Sequence, residues 1–201
     1  MDYASLQTSI AAWLNRDDLS SYIQEFITLA EAEFQRTIRA REMLRNADTT
    51  TSVVSVQLPN DFLELRHITL TSENQPLYYA TLAELDDIRR NVQVAAQPTH
   101  VAVYNTKLEL APVPDKQYTL EIVYYQKIPE LSSNTSTNWL IAAYPDVYLY
   151  GCLTKAAPFI GEDERTNVWR QEYTNAVNQL NIISERTELR GARKSLAYKY
   201  L

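Results

Sequence analysis

The apolar residues of this 201-residue chain change period twice, and that restricts the fold more than any single motif does. Tyr3, Leu6, Ile10, Trp13 and Leu14 recur at spacings of three and four, which predicts an amphipathic helix of about three turns. Asn15 to Asp18 is polar, and Asp17 or Asp18 suits the cap of a second helix. That helix carries Ile23, Ile27, Ala30, Phe34 and Ile38 on one stripe. Arg36, Arg39, Arg41 and Arg45 complement a helix C-terminus, so it is expected to run to about Arg45.

From Asn46 the helical period stops. Asp48 to Ser52 is a threonine-rich linker, and Val53–Leu58 then has strand chemistry. Pro59-Asn60-Asp61 marks a turn before a second strand over Phe62–Leu70, and a short strand is expected around Leu77–Tyr79. Thr81 with Glu84 three positions on is a capping box, which opens a short helix over 82–90. Further strands are expected at Val101–Tyr104, Lys107–Leu110 and Tyr118–Tyr125. After a Ser/Thr/Asn-rich loop the helical period returns. Asn138 caps a turn from Trp139, and Pro145 with Asp146 suits the first turn of a helix that faces Leu149, Cys152, Leu153, Ala156 and Ile160 inward. Pro158 and Gly161 end it. Glu162, Asp163 and Glu164 favour the first turn of a last helix, with a seam of Trp169, Tyr173, Ala176, Leu180 and Ile183.

Helices, then strands, then helices indicate an α+β fold rather than a parallel βαβ sheet. The economical arrangement is an antiparallel helical bundle from the N- and C-terminal helices (1–47 and 138–185) with a small antiparallel β-rich insert (48–137). Residues 186–201 form an extended C-terminal arm, because Arg186, Arg190, Arg193, Lys194 and Lys199 face only Glu188 in charge. A net +4 segment on a chain of net charge −6 reads as an interaction arm.

That overall charge argues against a surface that wraps duplex DNA, which needs many cations near phosphates, yet it suits a wall that DNA passes without sticking. Cys152 is the single cysteine, so no intramolecular disulfide can form and synthesis in a cytosolic compartment is expected. No signal peptide pattern and no membrane-length apolar run is visible. The three glycines, Gly151, Gly161 and Gly191, are too dispersed for a phosphate cradle. Fourteen tyrosines suit surfaces that are half buried in an assembly.

Candidate chemistry is sparse. His67 and His100 have no partners at metal-ligand spacing, and Cys152 falls on an apolar helix face, so no metal, cofactor or catalytic residue is expected. Asp86-Asp87 and Glu162-Asp163-Glu164 are adjacent helical carboxylates that diverge by about 100° per residue and do not face one another. The arginines of 36–45 share their helix with Glu31, Glu33 and Glu42 and lack interleaved aromatics, which favours salt bridges over nucleic-acid contact. A carboxylate-based polysaccharide hydrolase (Glu84, Asp86, Asp87) and a nucleic-acid-binding module are the alternatives to a structural protein.

The most specific pattern is Asn138-Trp139-Leu140, followed by Tyr144-Pro145-Asp146-Val147-Tyr148-Leu149-Tyr150-Gly151-Cys152-Leu153 and Ala156-Ala157. It resembles the head-to-tail adaptors of tailed bacteriophages, the neck or tail tubular protein A type of short-tailed phages. The opening, Leu6 to Glu33, and the segments Leu58-Pro59-x-Asp61-Phe62 and Tyr124-Tyr125-x-x-Ile128-Pro129-x-Leu131 resemble that family in the same order. The resemblance implies a non-enzymatic virion part, made in the host cytoplasm and placed in the neck. It further implies a dodecameric ring that docks on the portal protein, extends the DNA channel and carries nozzle and tail-fibre proteins. It assigns portal contact to the C-terminal segment, here Arg190, Arg193, Lys194, Tyr198 and Tyr200. Tyr148 or Tyr150 is expected at or near a subunit face, although their helix is equally suited to the core, since Leu149 and Cys152 face inward.

Overall fold

A computed structural model describes residues 1–161 and 164–197, with side chains as far as Thr187 (Asp17 excepted). The chain divides into two compact units: a helical one, Met1–Glu42 with Ile128–Leu201, and a β-rich one, Met43–Lys127. The α+β expectation holds.

In the helical unit, α1 spans Tyr3–Leu14 and buries Leu6, Ile10 and Leu14. The Asp2 carboxylate caps it by accepting from the Ser5 N–H, and Asn15 ends it in the left-handed region at φ 50°. A 3-10 segment over Asp17–Tyr22 leads into α2, Ile23–Thr37, which buries Ile23, Phe26, Ile27, Ala30 and Phe34 at helical spacing.

Helix α2 stops well before the expected Arg45. Ile38 is extended at φ −96°, ψ 130°, and the Asn181 side chain takes over the frayed end. Its amide donates to Thr37 O at 3.1 Å, and its carbonyl accepts from the Arg39 N–H at 3.1 Å. Ile38, Ala40 and Met43 then bury their side chains along an irregular run. A cap supplied from 142 residues away overrides the charge pattern that suggested a longer helix.

Helices α4 (Trp139–Ala143), α5 (Pro145–Ile160) and α6 (Arg165–Ala197) complete the unit. Asn138 caps α4 as expected, accepting from the Ile141 N–H at 2.9 Å, and Pro145 opens α5. Gly151 is where α5 meets α2: a Cβ there would lie 2.8 Å from two ring carbons of Phe34. On α6 the buried seam is Trp169, Tyr173, Val177, Leu180 and Ser184; Ile183, expected on it, is 52% exposed. A 3.6-residue helix drifts about 20° per heptad from a 3.5-residue seam. The buried stripe therefore departs progressively from strict heptad positions between Trp169 and Ile183. The expected arm from 186 onward continues α6 as helix backbone to Ala197. The expected first-turn acids Glu162 and Asp163 lie outside the described residues.

The β-rich unit holds two four-stranded sheets, β1-β8-β3-β4 and β2-β7-β6-β5. Their strands are β1 Leu44–Thr51, β2 Ser55–Gln57, β3 Phe62–Leu70, β4 Gln75–Pro76, β5 Tyr78–Tyr79, β6 His100–Tyr104, β7 Lys107–Ala111 and β8 Tyr118–Gln126. The threonine-rich stretch expected as a linker is the edge strand β1, paired antiparallel to β8 from Leu44↔Tyr125 to Thr51↔Tyr118. β-Branched threonine fits a half-exposed strand as well as a loop, and pairing decides between them. One core cluster draws Ile68, Leu70, Leu120 and Ile122 from the first sheet and Val56, Val101, Leu108 and Leu110 from the second, so the sheets pack face to face.

One pair departs from the antiparallel expectation: β5 and β6 run parallel. A parallel pair needs a crossover, and α3 (Leu82–Asn91) supplies it. Helix α3 begins at the expected capping box, where the Thr81 hydroxyl accepts from the Glu84 N–H and the Glu84 carboxylate from the Thr81 N–H. Its Leu85 and Ile88 pack on Ala80, Ala102 and Ala111, a small second core on the outer face of the second sheet.

Candidate functional site

The most constrained polar constellation lies inside the helical unit. Glu31 sits on the buried face of α2 and is only 7% exposed. Its Oε1 accepts from the Leu131 N–H at 2.8 Å and from the Tyr148 hydroxyl at 3.0 Å. The Tyr148 hydroxyl in turn accepts from Asn138 Nδ2 at 2.7 Å, which also donates to Pro129 O at 2.7 Å. One turn further along α2, Gln35 accepts from the Ile128 N–H at 2.9 Å and donates to Ile128 O at 2.7 Å. Glu31, Gln35 and Asn138 therefore fix the loop that runs from Ile128 to Asn138 against α2. The Asn-Trp-Leu motif and Tyr148 are parts of this clamp.

Electrostatics follow from the burial. Loss of water, with Glu130 nearby, pushes the Glu31 carboxyl above its ordinary range, partly offset by the bonds from Leu131 and Tyr148. Burial and the facing Glu31 carboxylate raise the Tyr148 hydroxyl, and the same two causes raise the Cys152 thiol. A thiol kept protonated and fully buried is not a nucleophile, in agreement with its expected core role.

Of the two tyrosines expected at a subunit face, Tyr148 has no exposed surface within the chain, and its ring packs edge-on to Phe34 at 5.0 Å. It belongs to the core, and its hydroxyl is satisfied internally by Glu31 and Asn138. Tyr150 is half-buried and meets the 45% exposed Trp13 edge-to-face at 5.8 Å. The Arg190, Arg193 and Lys194 side chains, and Tyr198 and Tyr200 altogether, lie outside the described residues.

The remaining candidates are accounted for locally. One oxygen of Glu84, Oε2, serves the capping box, and the bonds from the Thr81 backbone and hydroxyl hold its carboxyl below the usual range. Asp86 and Asp87 pair one turn ahead with Arg89 and Arg90. His67 bonds Thr69, and His100 bonds Thr99. Arg41 pairs with Glu42, and Arg39 donates to the carbonyls of Gln35 and Ile38. Among the described residues no group of His, Cys, Asp and Glu is placed to hold a metal ion, and no helix is long and apolar enough to cross a membrane.

Gln35 escaped the reading of the sequence, and Glu31, expected among the salt-bridge partners of the nearby arginines, instead accepts from Leu131 and Tyr148. The available signal was a carboxylate beside Ala30 and between Ile27 and Phe34 on an apolar stripe, which requires a buried partner.

Comparison with known families settles the class. The SU10 adaptor protein family model matches residues 1–195. This chain belongs to the SU10 adaptor family. The resemblance seen in the Asn138 to Ala157 block is thus borne out at family level: this SU10 adaptor family member is a phage adaptor with a structural role in the virion. A search of curated proteins returned no match.

Proposed function

We propose that this SU10 adaptor family member is a head-to-tail connector subunit that assembles into a ring of about twelve copies beneath the portal protein. In that position it lengthens the DNA channel and gives nozzle and fibre proteins a platform, without catalysis. The observation that carries the reading is the family match over 1–195, nearly the whole chain. Chemistry supports it in two ways. A net charge of −6 suits a channel wall past which DNA slides, since 25 carboxylates outnumber the 19 lysines and arginines that could hold phosphates. The basic C-terminal segment, with Arg190, Arg193, Lys194, Tyr198 and Tyr200, has the charge and aromatic content of a portal-gripping element. Repetition around a ring strengthens weak individual grips through avidity.

Tyr150, with Trp13 beside it, is the proposed subunit face, replacing Tyr148. Polysaccharide hydrolysis gains no support from Glu84, Asp86 and Asp87, because a general acid needs a raised carboxyl and Glu84 is lowered. The test is to mix purified chain and portal and follow mass by light scattering during size exclusion. A stoichiometric complex many subunits larger than the portal is expected. Co-elution with no gain in portal mass would refute the reading.

A further inference from the structure

The β-rich unit carries a surface that the clamp and the C-terminal segment leave unexplained. Between the first turns of α3 and the edge strand β5 lies an open pocket of about 310 Å³, lined by Tyr79, Ala80, Glu84, Asp87, Ile88 and His100. Among the described residues no lysine or arginine lines it, although two carboxylates do. Asp87 shares its charge with Arg90, and the Thr81 backbone and hydroxyl both bond one Glu84 oxygen, Oε2. Those bonds keep Glu84 ionised. Beside the pocket the Tyr78 ring lies 5.8 Å from His100 at 44°, and Tyr78 is 60% exposed. Ala80 and Ile88 give it an apolar wall.

We infer that this pocket receives an arginine side chain from another virion protein, so that the β-rich unit is a docking face of the adaptor. Arginine matches each part of the lining. Its planar guanidinium forks onto carboxylate oxygens and stacks on aromatic faces such as Tyr78 and His100. Its aliphatic stem covers Ala80 and Ile88. Lysine meets the charge but not the plane, and an anionic partner meets the ionised Glu84 carboxylate beside the Asp87–Arg90 pair. Exposed tyrosine beside an arginine is the composition found at the centres of protein interfaces. The inference rests on the adaptor reading only in naming the partner as a virion protein; the arginine chemistry is tested without it.

The test titrates the full ¹⁵N-labelled chain with a blocked pentapeptide, acetyl-Thr-Tyr-Arg-Tyr-Thr-amide, and with the same peptide carrying citrulline, which keeps the shape and removes the charge. The arginine peptide is expected to shift the amides of Glu84, Asp87, Ile88 and His100 along one saturating curve. The citrulline peptide should bind at least about fivefold more weakly, ~1 kcal/mol. In the double variant E84Q/D87N, whose glutamine preserves the cap, the arginine preference should vanish while the thermal melt is retained. Three results would each overturn the proposal: no shifts at those residues near saturation, equal shifts from both peptides, or an arginine preference that survives E84Q/D87N. Shifts at the same residues from a neutral oligosaccharide instead would also reject arginine as the occupant. Because no portal or ring enters the assay, a failure here leaves the connector reading standing, and the reverse.

Discussion

Replacing Glu31 by leucine removes the acceptor that the Leu131 N–H and the Tyr148 hydroxyl share. Tyr148 keeps the bond from Asn138, but its own proton is left without a partner in a fully buried site. Each stranded donor costs about 1–3 kcal/mol, and the leucine methyls recover part of that by burial, so a net loss of roughly 2–4 kcal/mol is expected. Glu31→Gln keeps Oε1 as an acceptor for both donors and removes the burden of burying a charge. The sign with pH follows. The folded-state carboxyl is raised, so between the unfolded and folded pKa values the native state binds more protons and stability falls as pH rises. Wild type and E31Q should therefore be nearly equal in acid, where Glu31 is protonated in both states. E31Q should gain on wild type as pH climbs through the raised value towards neutrality. All three tryptophans, Trp13, Trp139 and Trp169, lie in the helical unit, so urea unfolding followed by their emission reports that unit alone. An E31L midpoint within about 0.5 kcal/mol of wild type, or E31Q as damaging as E31L, would refute the clamp.

Three further outcomes follow from the packing and the termini. Gly151→Ala places a methyl against the Phe34 ring and should cost about 1–3 kcal/mol in the same tryptophan-detected melt, whereas Ala157→Gly on the same helix should cost only the ~1 kcal/mol of helix propensity. Thr81→Ala removes one half of the capping box and should destabilise α3 by about 0.5–2 kcal/mol, seen as faster amide exchange over Leu82–Asn91 with the tryptophan melt unmoved. Deleting 186–201, the segment expected to grip the portal, should abolish portal association while leaving the circular dichroism midpoint nearly unchanged.

Most of the element order was legible because period and caps are local. The capping box at Thr81, the Asn138 cap and the Pro145 start are read within four residues and appear as expected. What escaped depends on distant partners. The end of α2 is set by Asn181, and the strand character of Thr49–Thr51 by pairing with β8. The parallel β5–β6 pair depends on where the α3 crossover lands. The loop from Ile128 was expected with the β-rich insert, yet it groups with the helical unit because Gln35, Glu31 and Asn138 bond its backbone. At the candidate site the sequence left Tyr148 and Tyr150 open between a subunit face and the core, and the structure buries Tyr148. A tyrosine in a helix does not announce whether its hydroxyl meets solvent, a neighbour or, as here, a buried carboxylate 117 residues away.

The central claim is a ring on the portal. Electron microscopy of the chain mixed with its portal tests it most directly. The expected image is a closed ring of about twelve adaptor copies, coaxial with the portal and continuous with its channel. Portal particles that stay bare at saturating adaptor, or adaptor bound as scattered single copies off the axis, would contradict it.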